Sequence, residues 1–163
     1  MKWFSVGAGA CGALLLVASG CQTIGGVGHV ASVQRWAQEV VTEGDHELVL
    51  ELAADTILMH SLPSFPAREI AAADMVRRFD NSREQFPDRR IELCDIHATG
   101  DFVVATWTEI RTHTTEYRGY APTGREYTYD GITIYRFDGG RIAEIWILTD
   151  QVPFYRLVGA LPE

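Results

Sequence analysis

Beyond Lys2 the chain contains no lysine, and its arginines are scattered rather than gathered into runs. Acidic residues outnumber basic ones, 22 to 14, for a formal net charge of −8, one unit more negative once Lys2 is set aside. That balance excludes nucleic acid as a partner class, because such binding draws most of its affinity from Lys and Arg neutralising phosphates. Cysteine is scarce too. Of the three, Cys11 and Cys21 sit at the N-terminus, which leaves Cys94 alone and rules out a disulfide within the remaining chain. A lone cysteine in the strand-like run 91–96 reads as a small buried hydrophobe rather than a nucleophile. The histidines (His29, His46, His60, His97 and His113) include no pair at i+2 or i+4, so no metal site is expected. Gly7, Gly9 and Gly12 match a dinucleotide-binding spacing, but no strand precedes them. No Gly-x-Ser-x-Gly elbow occurs after them.

Residues 1–20 read as a signal peptide: Lys2 gives a positive start, and the apolar stretch 4–18 is too short to span a bilayer comfortably. The run Ala18-Ser19-Gly20-Cys21 resembles a bacterial lipobox, in which cleavage leaves Cys21 as the lipid-modified first residue. The competing reading is an ordinary secretory signal followed by a chance cysteine. Gln22 rather than Asp after Cys21 points to sorting to the outer membrane. The expected location is therefore the cell envelope, at the periplasmic face of that membrane. Lipid burial contributes about 0.8 kcal/mol per CH₂, so several acyl chains on Cys21 would hold the protein there. Residues 21–29 read as a flexible tether with a reach of about 15 Å. Residues 30–163 have the length of one domain with a real core.

Within that domain, residues 30–42 carry Val33, Trp36, Ala37, Val40 and Val41 at helical spacing. Gly44 and Asp45 supply a stop and a start for a second, short helix over 46–54. Residues 56–60 read as a short strand running into Pro63 and Pro66, and 67–86 as one long helix closed by Pro87. Strands are expected at 89–97, 102–117, 127–137 and 141–149, with Asp138-Gly139-Gly140 turning the last hairpin. Alternation places Val103, Ala105, Trp107, Glu109, Arg111 and His113 on one face of the long strand. It likewise gathers Ile142, Glu144, Trp146, Leu148 and Asp150 on one face of the last. Residues 152–161 read as a short helix or coil. Helices first and a strand meander afterwards imply an α+β fold, a cone-shaped curved antiparallel sheet packed on N-terminal helices. A cone with an apolar interior suits a small molecule.

A set of motifs supports a specific resemblance. Gly119, Pro122, Thr123, Gly124 and Arg125 are followed by Asp138-Gly139-Gly140-Arg141-Ile142, then Glu144, Trp146 and Asp150. Upstream lie Trp36, Gly44-Asp45, Phe86-Pro87-Asp88, Gly100-Asp101 before Phe102-Val103-Val104-Ala105, and Thr112-His113. Together these resemble the SnoaL-like polyketide cyclase family of the nuclear-transport-factor-2-like superfamily, over about residues 30–159. The resemblance implies the α+β cone and an aldol-type ring closure that needs neither metal nor organic cofactor. It also implies a general acid/base at the position of Asp150, and a pocket residue at that of Arg136, where the family's cyclases carry a histidine.

Asp150 has a second reading, as the cap of the C-terminal helix. Trp107 and Trp146 are pocket walls or plain core. His60 and His113 are second proton carriers or polar rim residues. Three functions stay open on these residues. One is a lipid-anchored enzyme acting on a small apolar carbonyl compound. Another is a carrier that binds such a molecule without turnover. The last is a module that forms a homodimer through its open sheet.

Overall fold

The structure is a computed structural model and describes residues 24–61 and 66–162. The signal-peptide expectation and Cys21 lie outside the described residues. The first helix, α1 (Ile24–Arg35), begins inside the stretch expected to be a tether and continues as a π-helix over Trp36–Glu43. The wider π turn is held by Thr42, whose hydroxyl donates to the Ala37 carbonyl at 3.0 Å. It ends at Gly44, whose φ of 87° suits a residue without Cβ. In this register Trp36, Ala37, Val40 and Val41 are all buried. Such insertions are frequent at functional sites.

A 3₁₀ turn (His46–Leu48) and the single turn α2 (Val49–Leu52) lead into β1 (Ala53–His60). The long helix expected over 67–86 divides. Residues Arg68–Ala71 form an edge strand, β2, paired antiparallel with β1, and α3 spans Ala72–Gln85. Only Ile70 of the strand is buried, so four residues left no alternation to read. Strands β3 (Arg90–Thr99), β4 (Phe102–Thr112), β5 (Glu126–Asp138) and β6 (Arg141–Thr149) then form the meander. The long strand stops at Thr112 rather than 117, and residues 113–125 form a loop. The short helix α4 (Val152–Leu157) closes the chain.

Sheet order is β2-β1-β6-β5-β4-β3. Every pairing is antiparallel except β1 with β6, which is parallel and makes the sheet mixed. The fold is thus the expected α+β arrangement of a curved sheet on N-terminal helices, with one parallel pair added. Register shifts between Leu93 and Asp95 and between Arg136 and Phe137 break the pleat. Bulges of this kind sharpen local bend and twist. The concave face packs Val103, Ala105, Tyr135, Phe137, Ile142 and Ile145 against Val33, Trp36, Val40, Met75 and Val76. A second cluster of Trp107, Tyr127, Tyr129 and Phe154 lies toward α4. No helix among the described residues is long and apolar enough to cross a membrane.

Candidate functional site

The alternation along β4 and β5 turns inward a row that begins apolar and ends polar. On β4 it runs Val103, Ala105, Trp107, Glu109, Arg111; on β5 it runs Phe137, Tyr135, Thr133, Tyr129, Tyr127. Gly131 interrupts that row where it faces Trp107 across the ladder. The indole lies across the glycine so closely that a Cβ there would collide with its ring. Trp107 Nε1 then donates to Thr133 Oγ1 at 2.9 Å.

Between this face, the π-helical segment and α3 lies a cavity of about 150 Å³. Its walls are mainly apolar: Trp36, Met75, Phe79, Leu93, Trp107 and Ile147 among others. Its polar lining comes mainly from Arg89, Glu109, Tyr129, Thr133 and Thr149. Glu109 is 1% exposed. Arg89 Nη2 donates to Glu109 Oε2 at 2.8 Å, and Arg89 Nη1 donates to Ser82 Oγ at 3.1 Å. Arg111 Nη1 stands 3.3 Å from Glu109 Oε1. That contact is an ion pair without hydrogen-bond alignment, so Glu109 Oε1 has no hydrogen-bond partner among the described residues. The same holds for Arg89 Nε.

Arg111 cannot swing away from this place. Its guanidinium lies 4.0 Å from the Phe86 ring centre and 4.9 Å from that of Tyr129, and its Nε donates to Tyr127 Oη at 2.7 Å. Burial opposes its charge, but Tyr129 and Glu109 outweigh that and raise its pKa. Burial, reinforced by the Glu109 charge, pushes the Tyr129 phenol far above its ordinary value. Burial likewise pushes Tyr135 up to about 12, against a smaller opposing effect of its hydrogen bond to Thr133. Both phenols are therefore protonated donors at neutral pH. The arrangement offers a buried carboxylate, fixed cations and phenolic donors around a space with largely apolar and aromatic walls.

Of the candidate site residues named from the sequence, Asp150, Trp107, Trp146, His60, His113 and Arg136, only Trp107 lines this cavity. Trp146, His60 and Arg136 come together elsewhere, on the convex face of the sheet around Glu144. His60 Nε2 lies 2.7 Å from Glu144 Oε1, and Arg136 Nε donates to Glu144 Oε2 at 2.7 Å. The His60 ring stacks on Trp146 at 4.6 Å. His113 is fully buried beside Phe154, below α4. Asp150 is exposed on the convex face; its Oδ1 accepts from the Val152 amide at 2.9 Å, a turn one residue ahead of the helix N-cap, Gln151, and it borders a groove with Asp130, Ile132 and Leu148. The bulge explains the parity. Phe137 pairs with Ile142 but Arg136 pairs with Glu144, so Ile142 points inward while Glu144, Trp146, Leu148 and Asp150 point outward. Cys94 is exposed rather than buried, because it is the extra residue of the bulge between Leu93 and Asp95.

Sequence reasoning passed over Arg89, Glu109, Arg111 and Tyr129. The signal was available: two charges continue the face that carries Val103, Ala105 and Trp107, and a charge on a buried face needs a reason.

The sequence model of the SnoaL-like polyketide cyclase family matches residues 31–157. No curated protein matches the chain at a significant level. Among solved structures, AclR of Streptomyces galilaeus, described as a candidate hydroxylase, is 25% identical with a TM-score of 0.73. That match covers 85% of each chain. A candidate polyketide cyclase of Acidithiobacillus ferrooxidans is 29% identical, covering 83% of this chain and 96% of its own, with a TM-score of 0.73. IdmH of Streptomyces antibioticus, a candidate polyketide cyclase, is 26% identical over 80% of this chain and 98% of its own, with a TM-score of 0.69.

Proposed function

We propose, from the premise that this chain belongs to the SnoaL-like polyketide cyclase family, that its cavity takes a small, largely apolar carbonyl compound and acts on it by cofactor-free acid/base chemistry. Glu109 is the proton-carrying carboxylate in this reading, a role that family position alone gave to Asp150. The observation that carries it is a carboxylate, 1% exposed, among the polar residues that line a largely apolar cavity. The reaction begins with transfer of a proton from the carbon α to the carbonyl onto Glu109. Charge then develops on the carbonyl oxygen, where Arg89 and the Tyr129 hydroxyl are the donors at hand. Trp36, Phe79 and Trp107 keep water from the enolate.

The test is deuterium exchange at the α-carbon of a carbonyl-compound panel in D₂O, followed by proton NMR. Glu109→Gln should slow exchange by about 10²–10⁴-fold, the usual contribution of a positioned acid/base. Asp150→Asn should leave it unchanged. Full exchange in Glu109→Gln would sink the assignment.

A carrier without turnover is the second reading. It is favoured by the pairing of Glu109 with Arg89 and Arg111, since two guanidinium groups compete for the carboxylate that would take the proton. A homodimer through the convex face is supported by the exposure there of Phe102, Ile132 and Leu148. In either case the run ending at Cys21 supports a lipid anchor in the cell envelope.

A further inference from the structure

We infer that the compound held by this cavity carries an anionic group, a carboxylate in its simplest form, seated at the rim on Arg68 and Arg78. The inference rests on the cavity reading proposed above and deepens it by giving the ligand a charge. Strand register is the starting point. Ile57 and Ile70 pair across β1 and β2 and belong to the buried core, so both side chains lie on the concave face. Two residues further along, Met59 pairs with Arg68, and alternation puts that pair on the same face. The row that is apolar at Ile57 and Ile70 thus ends in a guanidinium beside Met59, itself part of the cavity wall. Helix α3 packs against β1 and β2 from the other side. It brings Arg78, next to Phe79 in the chain and one helical turn from Met75, and those two residues also line the cavity. Arg68, Arg78, Ile70 and Met59 line a recess of about 300 Å³ that shares Met59 as a wall with the cavity.

Both arginines are uncommitted. Among the described residues, Arg68, Arg78 and Arg125 are the arginines whose guanidinium makes no ion pair or hydrogen bond, and two of the three share this recess. The acids nearest in sequence are turned elsewhere. Glu69 pairs with Leu58 on the convex face, Asp74 is held by Arg77, and Asp80 lies against His46. No acidic side chain lines the recess among the described residues. In a chain of net charge −8, that recess is a local reversal of sign, and such a recess concentrates anions from solution. Guanidinium groups hold a carboxylate through paired N–H donors. A neutral ketone would use the apolar walls and leave both arginines to water. A bare anion would use the arginines and leave the cavity empty. An apolar carbonyl compound with a carboxylate at one end uses both, passing Met59, whose unbranched side chain adapts readily. Strands β1, β6 and β5 lie between β2 and β4, so the ligand's charge on Arg68 is kept apart from that of Glu109.

The full chain in a nonionic detergent is titrated by calorimetry with 4-oxo-4-phenylbutanoate, with its neutral amide, and with acetate. The phenyl acid should bind about tenfold more tightly than its amide, and acetate should bind far more weakly than either. Combining Arg68→Gln with Arg78→Gln should bring the acid down to the affinity of the amide and leave the amide unchanged, and each single substitution should remove part of the advantage. Both side chains are exposed, so the fold is kept, which an unaltered melting temperature checks. Arg125→Gln removes the same charge from the loop over residues 113–125 and should leave the advantage intact. Added sodium chloride should narrow it in wild type. Equal affinity for acid and amide, or an advantage that survives the double variant, would overturn the inference while leaving the cavity reading in place. So would acetate binding as tight as that of the phenyl acid, because the anion would then be held without an apolar body. Binding of neither phenyl compound would overturn both the inference and the reading on which it rests.

Discussion

At the scale of single residues, the molecule is decided by where β4 and β5 oppose each other. Trp107 has a seat because residue 131 has no side chain, and its indole N–H then reaches Thr133. Gly131→Ala should displace the ring, break that hydrogen bond and overpack the wall. A loss of about 1–3 kcal/mol is the usual scale for such a change, and it should appear in urea unfolding with a reduced near-ultraviolet signal from tryptophan. Trp107 was legible as a large aromatic in the middle of a regular strand, although alternation alone left open which of its faces turns inward. Asp150 was read from its place in a motif, which gives a position along the chain but not a direction. The direction depends on the bulge between Arg136 and Phe137, opposite residue 143, and nothing in the letters 141–149 announces it. Glu109 and Arg111 were legible as neighbours on one face, but a strand in isolation does not say which face is concave.

At the scale of elements, two carboxylates tie separate segments together. Asp88, at the end of the α3–β3 connection, accepts from the amide and the hydroxyl of Thr112 on β4. Glu144 on β6 joins His60 of β1 and Arg136 of β5. In both, desolvation favours the neutral form but is outweighed, by the Thr112 hydrogen bonds at Asp88 and by the Arg136 and His60 hydrogen bonds at Glu144. Both folded-state pKa values are thus depressed below their ordinary values of 3.8 and 4.5. The sign follows from linkage: this stabilisation is fully present above the unfolded values and is lost as pH falls through the folded ones. Thermal unfolding midpoints should therefore drop on acidification below about pH 5, and the drop should be shallower in an Asp88→Asn, Glu144→Gln double variant. An equally steep drop in that variant would remove these ties from the account. Element identities were legible wherever hydrophobic spacing ran for ten residues or more. The short β2 and the π insertion escaped because each is fixed by tertiary partners: β2 by β1, and the π turn by Thr42, whose hydroxyl also accepts from the Ile91 amide.

At the scale of the whole molecule, the sheet has two unlike faces. The concave one is filled by helices and the cavity; the convex one leaves Leu148 at 52% and Phe102 at 39% exposure, beside the stacked pair of His60 and Trp146. Apolar groups gathered on an uncovered sheet are suited to pairing with another copy. If that is their role, Leu148→Glu should convert a dimer to a monomer in sedimentation velocity without lowering the melting temperature of the domain. A wild-type chain that already sediments as a monomer would remove the homodimer from consideration. The cone itself was legible from element order and motifs, since helices followed by a meander leave few ways to cover one sheet.

The parallel contact of β1 with β6 also sets the order of events in time. The meander from β3 to β6 joins strands that are neighbours in the chain, whereas Met59 meets Ile145 only after a long loop closes. Contacts of that separation carry the larger entropy of closure and tend to form late. Met59 and Ile145 both belong to the cavity wall. The cavity wall is therefore complete only once this long-range pairing has closed, and stopped-flow refolding should show the pairing of β1 with β6 forming after the meander. Conversely, a compound bound as proposed would act as a clasp on that pairing, and its addition should raise the unfolding temperature by holding the first strand to the last.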